Sequence, residues 1–188
     1  MSDELWMQTA NGRKFPLLDP RPEHVFADDI ISALPLIPCF TGAQKAGKWD
    51  WPYSVAQHCT LVSRLVAPEL ALDALLHDAW KVYVGDLTRP LNHLLNDISN
   101  GRWGDVRNRI RQAVAVRFGV RWPLPDAVEE ADRLARAIEL RDVMPKVPEL
   151  WDLVLPDPPA NRDIFVWSPD TTRKTFAARW RELQPEIF

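Results

Sequence analysis

The chain has 188 residues, 46% of them hydrophobic, which is enough for one domain with a sizeable core and a peripheral arm. Lys and Arg total 23 against 26 Asp and Glu, so the balance is slightly acidic, and the absence of a long basic block disfavours a duplex nucleic-acid groove while leaving room for a small anionic ligand. The first residues lack the basic-then-apolar order of a secretion signal, no stretch holds the roughly 18 apolar residues of a spanning helix, and Cys39 and Cys59 stand in unlike contexts, so a cytoplasmic protein that does not enter a membrane is expected.

Residues 1–53 are rich in breakers (Pro16, Pro20, Pro22, Pro35, Pro38, Gly42, Gly47, Pro52), which predicts an irregular arm with one short helix at Asp28–Leu34. Ser54 and Gln57 have capping-box spacing and open a predicted helix to about Val66. A second helix is predicted over Glu69–Val84, ending at Gly85. A turn at Asp86–Pro90, a short helix at Leu91–Ile98 and a longer one at Trp103–Phe118, stopped by Gly119, follow. After the proline-rich loop Arg121–Pro125, Asp126 caps a helix over Ala127–Val143 that Pro145 terminates. Residues 148–159 read as turns, a short strand pairing is possible near Ile164–Trp167, and Ser168-Pro169 starts a last helix as N-cap and first helical residue. The expected fold class is all-α: a single domain with a packed N-terminal arm (1–53), a helical core (54–145) and a C-terminal tail and helix (146–188).

Polar residues fall on the apolar faces of three of these helices. His58 lies at helical spacing from Val55 and Val62, His77 and Asp78 sit among Leu72, Leu75, Leu76 and Trp80, and Asp132 lies between Val128 and Ala135. Buried charged groups need a partner, so two inward histidines and two inward aspartates call for a shared explanation. A divalent metal (Zn, Mn, Co or Fe) supplies one, with open positions for water and a ligand oxygen.

The ordered set His58, His77-Asp78 and Asp132 resembles the HD-domain phosphohydrolase superfamily. The surrounding words SVAQH (54–58), ALLHD (74–78), YVGD (83–86) followed by TRPL, EAD (130–132) and RDVMP (141–145) are similar to small phage and bacterial HD hydrolases, among them HD-type 5′-nucleotidases and deoxynucleoside triphosphohydrolases. The likeness runs from about Phe15 to Leu183. It implies one metal held by His58, His77, Asp78 and Asp132, and attack of an activated water on the phosphorus next to the 5′ carbon of a nucleotide. It further implies an acid–base role for Asp86, a small-molecule nucleotide partner and a homo-oligomeric state.

Three positions depart from that pattern. Lys81 stands where such enzymes carry a water-orienting Glu, Cys39-Phe40 where an Arg-Phe pair reaches the phosphate, and Asn92 where a Lys follows the Arg-Pro-Leu segment. The expected substrate contacts are therefore Cys39, Phe40, Lys81, Arg89 and Asn92, with Lys81 and Arg89 neutralising phosphate and Asp86 with Lys81 at the chemistry. Lys45 and Lys48 are further candidate cations. Trp49, Trp51 and Tyr53 either stack on a base or pack the core. A metal- or nucleotide-binding protein with little or no hydrolysis is the alternative, while a di-iron oxygenase lacks the extra histidines, His93 alone lying between the HD pair and Asp132.

Overall fold

The computed structural model describes residues 5–146 and 155–188. Its architecture is mostly helical, with seven α-helices and one two-stranded sheet among the described residues. The sheet corrects the expectation of an arm that holds no regular element beyond one short helix. Strand β1 (Trp6–Gln8) pairs antiparallel with β2 (Lys14–Pro16), Met7 opposite Phe15, and the connecting turn has Gly12 at φ +79°, a conformation that favours glycine. Asp29 fastens this hairpin to helix α1 (Ala27–Ala33) by accepting from the Asn11 backbone and amide, while Arg13 bridges Asp28 and Asp29.

Helix α2 (Val55–Val62) starts at Ser54, whose hydroxyl accepts the Gln57 N–H at 3.3 Å. The reciprocal half of the capping box does not form. The Gln57 side chain instead donates to the Phe165 carbonyl and accepts from the Trp167 N–H, which holds that extended segment beside α2 without making it a strand. The helix also ends at Val62, short of the expected Val66, and Leu65 and Val66 pack beyond its end against Val62, Ala74, Val128, Ala131 and Ala135.

The predicted helix over Glu69–Val84 is broken. A 3₁₀ turn at Pro68–Leu70 leads into α3 (Ala71–Leu76), and a second 3₁₀ turn covers Ala79–Tyr83, with Asp78 between them at φ −111°, ψ 9°. Consecutive residues of a straight α-helix point about 100° apart, so an unbroken helix would aim His77 and Asp78 in different directions. The interruption lets both side chains reach one place.

Helices α4 (Arg89–Ile98) and α5 (Arg102–Phe118) follow, the latter closed by Gly119 in the left-handed region. Helix α6 (Asp126–Asp142) has Pro125, not Asp126, at its N-cap, and α7 (Pro169–Leu183) begins as expected with the Ser168 side chain accepting the Thr171 N–H. The turn-rich reading of 148–159 lies outside the described residues for 148–154, and 155–159 carry no helix or strand.

Helix α2 packs against α3, α6 and α7. Around it lies the main core of Phe15, Ile30, Leu34, Tyr53, Val55, Leu75, Trp80, Ile110, Phe118, Phe176 and Trp180. The rings of Phe15 and Tyr83 stack with centroids 3.6 Å apart, and Trp180 meets Phe118 and Phe176 edge-on, so the N-terminal hairpin and the last helix are locked onto the core. No helix among the described residues is long and apolar enough to cross a membrane.

Candidate metal centre

Helix α2 brings His58, the C-terminal end of α3 brings His77, and α6 brings Asp132 to one point. One donor atom from each lies within 4.8 Å of the others, a group able to hold a metal ion. The two imidazole Nε2 atoms are 3.3 Å apart, and Asp132 Oδ1 is 3.0 Å from His58 Nε2 and 3.9 Å from that of His77. Asp78 Oδ2 is close by, 3.4 Å from His77 Nε2 and 3.9 Å from His58 Nε2, but it also lies 2.6 Å from the Lys81 ammonium.

Both rings are oriented from behind. His58 Nδ1 lies 2.6 Å from Glu139 Oε1, and His77 Nδ1 donates to the Ala74 carbonyl at 2.7 Å, so each Nε2 is directed into the cluster. Metal-binding histidines characteristically have the second ring nitrogen fixed in this way, and the donor set fits a metal on that ground as well as on proximity. Glu139 is itself buried and accepts the Tyr53 hydroxyl at 2.9 Å. Arg136 Nη2 holds the outer oxygen of Asp132 at 2.6 Å from one turn along α6.

The charges respond strongly to this packing. Burial works against the His58 imidazolium, yet Glu139 on one side and Asp132 on the other outweigh it and raise its pKa to about 10. Burial lowers that of His77, and the neighbouring His58 charge adds to the effect. Burial alone would push the Asp78 and Asp132 carboxyls up, but Lys81 beside the first and His58 beside the second hold both well below the usual carboxylate range. Lys81 is raised despite its burial because Asp78 and Asp86 face it together.

The other residues singled out from sequence divide into several environments. Asp86 Oδ1 lies 2.5 Å from Lys81 Nζ and its Oδ2 accepts the Phe40 N–H at 3.2 Å, so Asp86, Lys81 and the Phe40 backbone form one extension of the cluster. The Lys81 ammonium is thus held by two carboxylates. Cys39 is buried in the core, and burial pushes its thiol pKa up. The Asn92 amide donates to the Leu87 and Thr88 carbonyls and accepts the Trp103 indole N–H, which locks the start of α4 onto α5. Arg89 is exposed at the start of α4, and His93 is exposed further along it. Lys45 donates to the Arg141 and Asp142 carbonyls, and Lys48 to the latter, so both cap the C-terminal end of α6. Tyr53 is core, Trp49 meets Phe165 edge-on, and Trp51 is exposed.

Glu139 and Arg136 were not anticipated from sequence. Glu139 lies seven residues after Asp132 and four after Ala135, on the apolar stripe of α6, and that placement was a readable sign of a buried carboxylate.

The chain is 34% identical over 143 residues to an uncharacterized protein of Rhodobacter capsulatus, a match covering 72% of the chain and 69% of that protein. It is 31% identical over 138 residues to the uncharacterized protein YfdR of Escherichia coli, covering 73% of the chain and 72% of YfdR. The chain belongs to their family. No protein-family model matches the chain. Within this family, the present member joins two buried imidazoles and an aspartate into a potential metal centre, backed by a buried glutamate and flanked by a lysine held between two aspartates.

Proposed function

We propose that the protein is an HD-type, metal-dependent phosphohydrolase acting on a (deoxy)nucleotide phosphoester in the cytoplasm. The observation that carries this reading is the convergence of His58 Nε2, His77 Nε2 and an Asp132 oxygen from three different helices, with both remaining ring nitrogens anchored. Asp78 is the fourth ligand, and Zn²⁺, Mn²⁺, Co²⁺ and Fe²⁺ suit this mixture of nitrogen and oxygen donors. When bound, such an ion polarises a phosphoryl oxygen and makes water more acidic.

The chain's own groups act around that centre. Glu139 holds His58 in register, and Arg136 holds Asp132. Water attacks the phosphorus next to the 5′ oxygen, and the bond to that oxygen breaks, releasing nucleoside and phosphate or a phosphate chain. Asp86, fixed by the Phe40 N–H, takes a proton from that water and returns it to the departing 5′ oxygen. Lys81 contributes a fixed positive charge beside the reacting group, where charge on the phosphoryl oxygens builds up in the transition state.

A second reading is favoured by one specific observation. Because Lys81 is engaged by Asp78 and Asp86 together, a protein that binds metal and nucleotide without turning it over fits the same geometry. Elemental analysis of the purified protein, followed by a nucleotide panel with added Mn²⁺, Co²⁺ or Zn²⁺, separates the two. Release of phosphate, pyrophosphate or triphosphate that disappears in His77→Ala is expected. Nucleotide binding without turnover by metal-loaded protein would overturn the hydrolase reading in favour of the second.

A further inference from the structure

Beside His77 lies an arginine that the proposed chemistry does not use, and a second stands one helical turn away. Arg111, on α5, sets its guanidinium over the Trp80 ring at 4.2 Å and beside the Trp122 ring at 5.1 Å. It has no hydrogen-bond or ion-pair partner among the described residues, although it is half-buried. Arg107, one turn earlier on the same face, lies 5.8 Å from the Trp103 ring, and its buried Nε has no hydrogen-bond partner among the described residues. Arg121 lines a cleft with Arg111, but its side chain is engaged by Asp73 and the Glu69 carbonyl.

The position of Arg111 joins this pair to the candidate centre. The cleft it lines, whose volume of about 10 Å³ holds no more than a water, also includes His77, Trp80 and Trp122, so an oxyanion meets the guanidinium edge at its mouth. Trp80 in turn donates its indole N–H to Asp78 Oδ1 at 3.2 Å, so one ring touches both the arginine and the acidic cluster. Stacking on an aromatic face uses the flat side of a guanidinium and leaves the in-plane N–H donors along its edge free for a planar or tetrahedral oxyanion. Lys81, the cation expected to meet phosphate, is already held by two carboxylates, whereas the guanidinium over Trp80 is held by none among the described residues.

We propose that Arg111, positioned by Trp80 and Trp122 and extended by Arg107, is a phosphate-binding subsite next to the histidine–aspartate centre. Its ligand is a phosphoryl oxyanion, either free phosphate or the phosphate chain of a nucleotide. A partly buried cation that lacks a carboxylate is costly to maintain, and an incoming oxyanion relieves that cost. Burial lowers the Arg111 pKa, Asp78 works in the opposite direction, and Arg107 adds like charge, an environment that favours an arriving anion. The two arginines sit one helical turn apart, so a chain of phosphates reaches both where a single phosphate reaches one.

The subsite rests on the phosphohydrolase reading for the identity of its natural ligand, and its test is separate. The full-length protein, with and without Mn²⁺, is titrated with inorganic phosphate and with tripolyphosphate. Binding is followed by calorimetry and by tryptophan fluorescence, since Trp80 and Trp122 border the site. Arg111→Met is expected to weaken both ligands at least tenfold while metal content stays unchanged, and Arg111→Lys, which keeps the charge without the planar fork, is expected to fall between. Arg107→Met should weaken tripolyphosphate alone if the natural source is a phosphate chain; equal binding of the two probes in wild type points to free phosphate. Circular dichroism and melting curves identify any variant that fails to fold, and Arg111→Gln then serves as the second replacement.

Unchanged phosphate binding in a folded Arg111 variant would overturn the subsite. Nucleotide hydrolysis persisting in that variant would leave the hydrolase reading in place. Conversely, wild-type protein that binds tripolyphosphate through Arg111 but releases nothing from nucleotides supports the subsite and overturns the hydrolase.

Discussion

Replacing Lys81 by methionine tests how the acidic side of the cluster is held together. The substitution keeps the apolar stem and removes an ammonium that lies 2.6 Å from Asp78 and 2.5 Å from Asp86. Each of the two carboxylates is only 13% exposed, so they would be left close together without their shared cation. Removing one partner of a buried ion pair typically costs about 3–5 kcal/mol. For a chain of this length each kcal/mol lowers the melting temperature by about 2–4 °C, so the metal-free variant should melt roughly 6–20 °C below wild type at pH 7.

The pH dependence has a definite sign. Lys81 holds the Asp78 pKa well below its unfolded value, so the stabilisation is fully present above the ordinary aspartate range and fades as pH falls through the depressed value. The gap between wild type and variant should therefore narrow in acid. Added Mn²⁺ or Zn²⁺ restores positive charge beside Asp78, and the metal-induced rise in melting temperature should be larger in the variant than in wild type. Differential scanning calorimetry with and without metal measures both effects. A metal-free variant melting within about 2 °C of wild type, on the same scale, would refute the idea that Lys81 clamps the two aspartates, as would equal metal-induced shifts.

Glu139→Gln keeps the shape of the group behind His58 and removes its charge, so metal affinity measured by calorimetry should fall about 10–100-fold, with the helical content unchanged. Metal uptake should also be coupled to a proton. With its pKa raised to about 10, His58 is protonated at pH 7 in the metal-free protein and must lose that proton before Nε2 can bind an ion. Affinity should accordingly rise about tenfold per pH unit between pH 6 and 8, and calorimetry in buffers of contrasting ionisation enthalpy should detect about one proton released per ion. An affinity that stays flat over this range would mean that His58 is already neutral. The stabilisation His58 lends the metal-free protein has the matching sign, being complete below its unfolded pKa near 6.5 and lost as pH rises through about 10.

Local signals accounted for the helices whose ends are set by local chemistry. Ser168-Pro169 and Gly119 marked a start and a stop because the groups that satisfy or end those helices are neighbours in the chain. Gln57 misled for the opposite reason. Its spacing from Ser54 suits a capping box, but its partners are Phe165 and Trp167, more than 100 residues away. The break at His77–Asp78 was equally hidden, since no glycine or proline marks it. Asp78 leaves the helix in a setting where its side chain meets Lys81 and the Trp80 indole, and those contacts emerge only from packing. The inward faces of His58, His77 and Asp132 were readable from period alone, whereas Arg107 and Arg111 at a spacing of four on a polar helix read as an ordinary solvated face until Trp80 and Trp122 are seen beside them.

The identity of residue 81 is plain in the sequence, but its consequence depends on its partners. Around the cluster, the carboxylates Asp78, Asp86, Asp132 and Glu139 stand against Lys81, Arg136 and a protonated His58, leaving one negative charge in excess. Exchanging the His58 proton for a divalent ion brings that count to neutrality. A glutamate at position 81 would leave the same metal-bound cluster with two negative charges in excess, which opposes the approach of a phosphate. Lysine therefore changes the requirement placed on the rest of the site: with the centre neutralised from within, the guanidinium of Arg111 over Trp80 is not cancelled by excess acid, and an anionic ligand meets net attraction.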